Sequence, residues 1–134
     1  MSEENVEIVR RALDSVTTKG LDRSLEFFDP EIVVDASRNV LNPTTYTGIE
    51  GLRQWLAGLS ETWQAIRVEP VEFIDAGERV VVMSQLIGTG RSSGIEVQRP
   101  TSGQIATVRD GRVHRWEIGY TSRDEALEAA GLQE

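Results

Sequence analysis

The spacing of apolar residues changes midway along this chain, and the change dictates how its layers must stack. Before residue 63 the long apolar stripes recur every three to four residues, the period of a helix, interrupted by one short strand; from residue 66 until a last short helix they alternate, the period of a strand. Val6, Val9, Leu13 and Val16 form one stripe, which predicts an opening helix. Ser2 is placed to cap it, Glu3 and Glu4 lie against its positive end, and Gly20 is placed to stop it. The stretch "LDRSLEFF" predicts a short second helix with Leu25 and Phe28 on one side, halted by Asp29-Pro30. Residues 31–36 predict the first strand, and residues 36–47 a polar loop. A third helix follows, opened by Thr47 and Glu50 at capping-box spacing, with Ile49, Leu52, Leu56, Leu59 and Trp63 as its stripe.

The alternating part predicts four strands in a meander. They are "RVEPVEFID", with Pro70 marking an edge or a bulge, "RVVVMSQLIGTG", "IEVQRPTSGQIATV", bent near Pro100 and Gly103, and "VHRWEIGYT". "DAGE", "RSSG" and "RDGR" supply the turns. Ser122 and Glu125 cap a last short helix that Gly131 ends. The layout is α+β: a curved antiparallel sheet wrapped around N-terminal helices, enclosing a cone-shaped interior of the sort that commonly holds a small apolar ligand. The length, 134 residues, suits one domain spanning 1–134.

Composition narrows the chemistry. The formal net charge is −8 and the basic residues, all arginine except Lys19, are scattered singly, so neither nucleic acid nor an anionic membrane is an expected partner. Cysteine is absent and His114 is the one histidine, which excludes thiol catalysis, disulfides and a multi-histidine metal site within one chain. No acidic loop of the calcium-binding type is present, and no metal or cofactor is expected. The acidic, amphipathic N-terminus lacks the order of a signal peptide, which makes the cytoplasm the expected location.

The stretches "YTGIEGLRQWL", "VEPVEFIDAGERVVV", "ATVRDGRVHRWE" and "SRDEALEAAGL", in this order, resemble the nuclear transport factor 2-like superfamily, of cystatin-like fold, and within it the SnoaL-like group. The resemblance covers nearly the whole chain and implies a fold rather than an activity, because the superfamily hosts isomerases, cyclases, epoxide hydrolases, binders and assembly modules. The steroid-isomerase-like pattern implies Asp35 as general base at the end of the first strand, but its two oxyanion donors fall on Leu13 and Gln104, of which only the amide can donate. The cyclase pattern needs a histidine and an acid where Gln104 and Ile118 stand. The epoxide-hydrolase pattern needs charges where Ser84, Leu86 and Ile118 stand.

Asp35 therefore has two readings: a base held in an apolar pocket, where burial would raise its pKa, or a strand end at water that bonds the next loop. Gln104 is either the amide that orients a ligand carbonyl or a buried amide with a neighbour. The expected ligand contacts are Tyr46, Trp63, Ser84, Leu86, Trp116, Ile118 and Tyr120, with Trp116 and Tyr120 on one face of the last strand. His114 is expected at the sheet's rim. Glu117 is expected on the outer face, joined by Val81, Met83, Gln85 and Ile87, an apolar surface on which a homodimer would form. Three functions stay open: a binder of a small apolar or carbonyl-containing molecule, an isomerase or cyclase with Asp35 as base, and a structural homodimer module.

Overall fold

The computed structural model describes residues 2–38, 43–90, 96–98 and 102–132, and of residues 2, 17, 58–69, 86–90, 96–98 and 102 the backbone alone. Helix α1, Ser2–Lys19, opens the chain and buries Val9 and Leu13 of its stripe together with Ala12, while Val6 and Val16 are partly buried. Gly20 ends it at φ 86°, its N–H bonded to the Val16 carbonyl at 3.1 Å.

The predicted second helix does not form. Residues 21–27 make two 3-10 turns, Leu21–Arg23 and Leu25–Phe27, with Ser24 between them. Ser24 is fully buried, and its hydroxyl donates to the Gly20 carbonyl at 2.7 Å. Because that proton is spent, the 2.6 Å contact between Ser15 and Ser24 must have Ser15 as donor. A side chain that satisfies the backbone here competes with the next helical turn, and Leu25 consequently sits 39% exposed.

Strand β1, Phe28–Ala36, starts three residues earlier than expected and runs through Pro30. It pairs with its parallel neighbour at Phe28 and again from Val33, and Pro30 lies in the irregular stretch between, where a residue without an N–H is tolerated. The expected loop contains a short strand, β2, Thr44–Thr47, antiparallel to β1. Helix α2 is Gly48–Thr62, and Trp63 already begins β3, Trp63–Ala76, instead of closing the helix. Strand β4 is Arg79–Gly90. The predicted bent strand is two pieces, β5 (Glu96–Gln98) and β6 (Ser102–Arg109), each antiparallel to β4. Strand β7, Arg112–Tyr120, and helix α3, Arg123–Ala129, complete the chain.

The sheet runs β2-β1-β7-β6-β4-β3, with β5 beside β4. It is mixed rather than wholly antiparallel, since β1 and β7 run parallel. It stays open between β2 and β3, so it curves without closing into a barrel. Four irregularities sit where an extra residue enters one strand: Gln64 and Val71 on β3, and His114 and Gly119 on β7. Such bulges bend a strand and sharpen its twist. Gly119 takes φ 102°, a value that favours glycine.

Two cores result. On the concave face Phe28, Ile32, Val34, Val80, Val82, Ala106, Val108, Val113 and Trp116 pack against α1 and against Leu52 of α2. On the convex face Val81, Met83, Ile105 and Tyr120 pack beneath Ala126, Leu127 and Ala130 at α3. Val81 and Met83 do lie on the outer face, but α3 seals them to 0% and 3% exposure, so they offer no surface to a second copy. The Ser122 hydroxyl accepts from the Glu125 N–H and the Glu125 carboxylate accepts from the Thr121 N–H. Paired bonds from Leu132 to Leu127 and from Gly131 to Glu128 close the helix in a Schellman motif. Gly103 permits this docking, because a Cβ there would lie 2.8 Å from the Ala126 Cβ. No helix among the described residues is long and apolar enough to cross a membrane.

Two substitutions test these contacts by urea denaturation. Ser24→Ala strands the Gly20 carbonyl and the Ser15 hydroxyl and is expected to cost about 1–3 kcal/mol. Gly103→Val is expected to cost about 1–3 kcal/mol by forcing α3 off the sheet. Unchanged midpoints contradict this packing.

Candidate functional site

Strand pairing decides which side chains face the concave space. Val34 lies in the concave core and pairs with Trp116; Asp35 is the next residue and pairs with Glu117. Alternation therefore sends Asp35, Arg115 and Glu117 to the convex face. Asp35 is not in the interior. Its carboxylate accepts from Arg115 at 2.7 Å, from the Ser37 hydroxyl at 2.5 Å and from the Ser37 N–H at 3.0 Å. The Ser37 hydroxyl, helped by the Ser37 N–H and the Arg115 charge, holds its pKa below the ordinary carboxylate value, against a smaller opposing effect of burial. The sequence reading of a pocket base needs the opposite shift, and this geometry overturns it.

Tyr120 is likewise displaced. Across the bulge Gln104 pairs with Ile118 while Gly103 pairs with Tyr120, so Gly119 is the extra residue and Tyr120 turns to the convex side. There its hydroxyl donates to Glu117 at 3.2 Å, and Arg38 stacks over its ring at 4.3 Å. Burial, together with the Glu117 charge, raises its pKa. Arg38 also reaches Glu125 at 3.5 Å, so a chain of charges links β1, β7 and α3. Arg38 and Arg115 carry no signal in the sequence beyond scattered charge. His114, the other extra residue of β7, sits at the rim, its Nδ1 3.4 Å from an Asp29 carboxylate oxygen.

Gln104 and three of the expected contacts, Ser84, Trp116 and Ile118, share the concave face. Gln104 pairs with Val82, and Ser84 follows Val82 by two on an unbroken register, so both share its direction. Trp116 and Ile118 lie alongside on β7. The Trp116 indole donates to Gln104 Oε1 at 3.1 Å. An indole N–H can only donate, so the amide oxygen must face it and the amide NH2 must turn away. That NH2 has no hydrogen-bond partner among the described residues. Ser84 is 1% exposed and its Oγ, too, has no partner among them. Gln104 and Ile118 remain partly exposed although they face the concave side of central strands.

Tyr46 packs against the same core, with Trp55 and Leu56 of α2 nearby in that cluster. Trp63 and Leu86, also expected contacts, have side chains outside the described residues; their backbones lie on β3 and β4. The concave core is a cluster of apolar and aromatic side chains, and no cluster of three or more potential metal ligands occurs among the described residues.

Two stability measurements follow. Ser84→Ala removes a hydroxyl that has lost water without gaining a partner, so the ligand-free protein is expected to gain about 1 kcal/mol in urea denaturation; a loss of that size means the hydroxyl is bonded. Asp35→Asn is expected to cost about 1 kcal/mol at neutral pH. A depressed carboxylate stabilises the fold above its unfolded pKa and ceases to do so as pH falls through its folded value, so the deficit should vanish in acid once the pH lies below that lowered folded value. A deficit that persists there contradicts the ion pair.

The comparisons agree with this architecture. The SnoaL-like domain family matches residues 9–116. Among solved structures, a protein described as a SnoaL-like polyketide cyclase from Jannaschia is 24% identical, with 87% of this chain and 84% of that chain covered at a TM-score of 0.73. An NTF2-like protein of unknown function from Burkholderia pseudomallei is 20% identical, with 93% and 95% covered, at 0.74. TerC, crystallised with polyporic acid, is 23% identical, with 85% and 88% covered, at 0.73. No curated protein matches the chain significantly. With the family match spanning most of its length and the NTF2-like curved sheet in place, this chain belongs to the SnoaL-like domain family.

Proposed function

We propose that the protein binds a small, largely apolar molecule between the concave face of the sheet and helices α1 and α2, without acid–base catalysis by Asp35. The observation that carries this reading is the partial exposure of Gln104 and Ile118. Residues on the concave face of central strands become fully buried when helices pack flush against them, as Val80, Val82 and Ala106 do here. A hollow beside Gln104 and Ile118 accounts for the difference. Its described walls are apolar or aromatic with a few polar groups, the usual make-up of a ligand pocket.

The binder is favoured over the isomerase or cyclase for a chemical reason. General acid–base catalysis needs a titratable group within hydrogen-bond reach of the substrate. Asp35, the one candidate from the sequence, is committed to Arg115 and Ser37 on the other side of the sheet. A neutral amide and a neutral hydroxyl orient a ligand but do not take its proton at physiological pH.

Thermal unfolding with a panel of apolar ketones, steroids and polyporic acid tests the proposal. Wild type is expected to gain several degrees with at least one compound, and Asp35→Asn to keep that gain, offset only by its lower baseline. A ligand far above its dissociation constant stabilises by about 2–4 kcal/mol, well within such a measurement. Absence of any shift would leave a structural module as the better account. Turnover of a bound ketone that Asp35→Asn abolishes would restore the enzyme.

A further inference from the structure

We infer that Ser84 and Gln104 form a two-donor clamp for one neutral carbonyl oxygen, with Trp116 as the residue that sets the clamp's direction. The inference rests on the proposed hollow and adds the chemistry of its polar end.

The geometry begins with neighbouring strands. Gln104 of β6 stands opposite Val82 of β4, and Ser84 is two residues along on the same face. Such diagonal neighbours lie about 7 Å apart at the backbone, within reach of a long side chain and one bridging oxygen. The Trp116 indole holds the Gln104 oxygen at 3.1 Å, which leaves the amide hydrogens for the open side. Ser84 Oγ is sealed from bulk water and bonded to nothing described. Buried hydroxyls nearly always find a partner, and one that does not is a reason to look for a ligand.

Counting hydrogens selects the functional group. A carbonyl oxygen has two lone pairs and no proton, so it accepts from Ser84 and from Gln104 together and leaves neither without a partner. An alcohol brings one more O–H to the same two donors. Whether it donates to Ser84 or accepts from it, one hydroxyl hydrogen stays unpaired in a dry place, which is costly. A carboxylate must give up its hydration, and the two donors, being neutral, bring no charge to offset that cost. A plain hydrocarbon leaves both donors as they are. The order of preference is therefore ketone, then hydrocarbon or alcohol, with the anion last.

The site also gives this serine a role that an apolar side chain could not fill. Valine at position 84 would suit the surrounding core of Val80 and Val82. A hydroxyl without a partner lowers the stability of the empty protein, and that cost is recovered only when something accepts its proton.

The test compares the ketone, alcohol and hydrocarbon of two scaffolds, tetralin and androstane, by isothermal titration against the full chain. Wild type is expected to prefer the ketone over both others by about tenfold or more. Ser84→Ala and Gln104→Leu are each expected to erase that preference while hydrocarbon binding persists, which shows the hollow intact. Trp116→Phe frees the amide to rotate and is expected to reduce the ketone preference, more than it reduces hydrocarbon binding. Equal binding of ketone and hydrocarbon by wild type, or an undiminished preference in Ser84→Ala, overturns the clamp and leaves the hollow standing. Binding of none of the compounds overturns both.

Discussion

The parallel pairing of β1 with β7 is the contact on which the rest of the structure depends. It sets Val34 beside Trp116 and Asp35 beside Glu117, and so decides which side of the sheet is dry. An isolated carboxylate on the concave side would face a large desolvation cost and would become neutral before tolerating it. On the convex side the same carboxylate meets Arg115 and Ser37, and its charge is stabilised instead. The result is a sheet with charge on one face and neutral donors on the other. The convex charges tie β1, β7 and α3 together through Asp35, Arg115, Glu117, Tyr120, Arg38 and Glu125.

The bulges on β7 extend that sorting. Without Gly119 the strand would carry Trp116, Ile118 and Tyr120 to one side; with it, Tyr120 crosses to the convex core beneath α3. His114 does the same near the other end, which lets Val113 and Trp116 both reach the concave core at a spacing of three. One strand thus serves two cores, and the Tyr120 ring is taken to the convex one.

These features explain what the sequence discloses and what it hides. Long periodic stretches such as Val6 to Val16 and the run from Arg79 are legible because their patterns repeat. The capping box at Ser122 and the stop at Gly131 are legible because each residue type does one local job. "IVVDAS" is not legible in the same way. Ile32, Val33 and Val34 are all apolar, so the run conceals its phase, and the side to which Asp35 turns depends on a partner eighty residues later. Tyr120 is misplaced by simple alternation because one glycine shifts the count. The turns at residues 21–27 are set by the buried Ser15–Ser24–Gly20 bonds, a tertiary arrangement that helical spacing does not register. Ser84, Gln104, Trp116 and Ile118 share one face because β4 and β6 keep an unbroken register there and β7 has no extra residue between Trp116 and Ile118, so simple alternation reaches them.

The central claim is that the dry face of the sheet recognises a ligand through neutral donors and not through an ionised base. The most direct measurement is the structure of the protein bound to the ketone it prefers. The account predicts the ketone oxygen within hydrogen-bond distance of both Ser84 Oγ and Gln104 Nε2, with the indole bond from Trp116 retained. A ligand seated on the convex side beside Asp35, or one whose oxygen turns away from Ser84 toward an apolar wall, would contradict it.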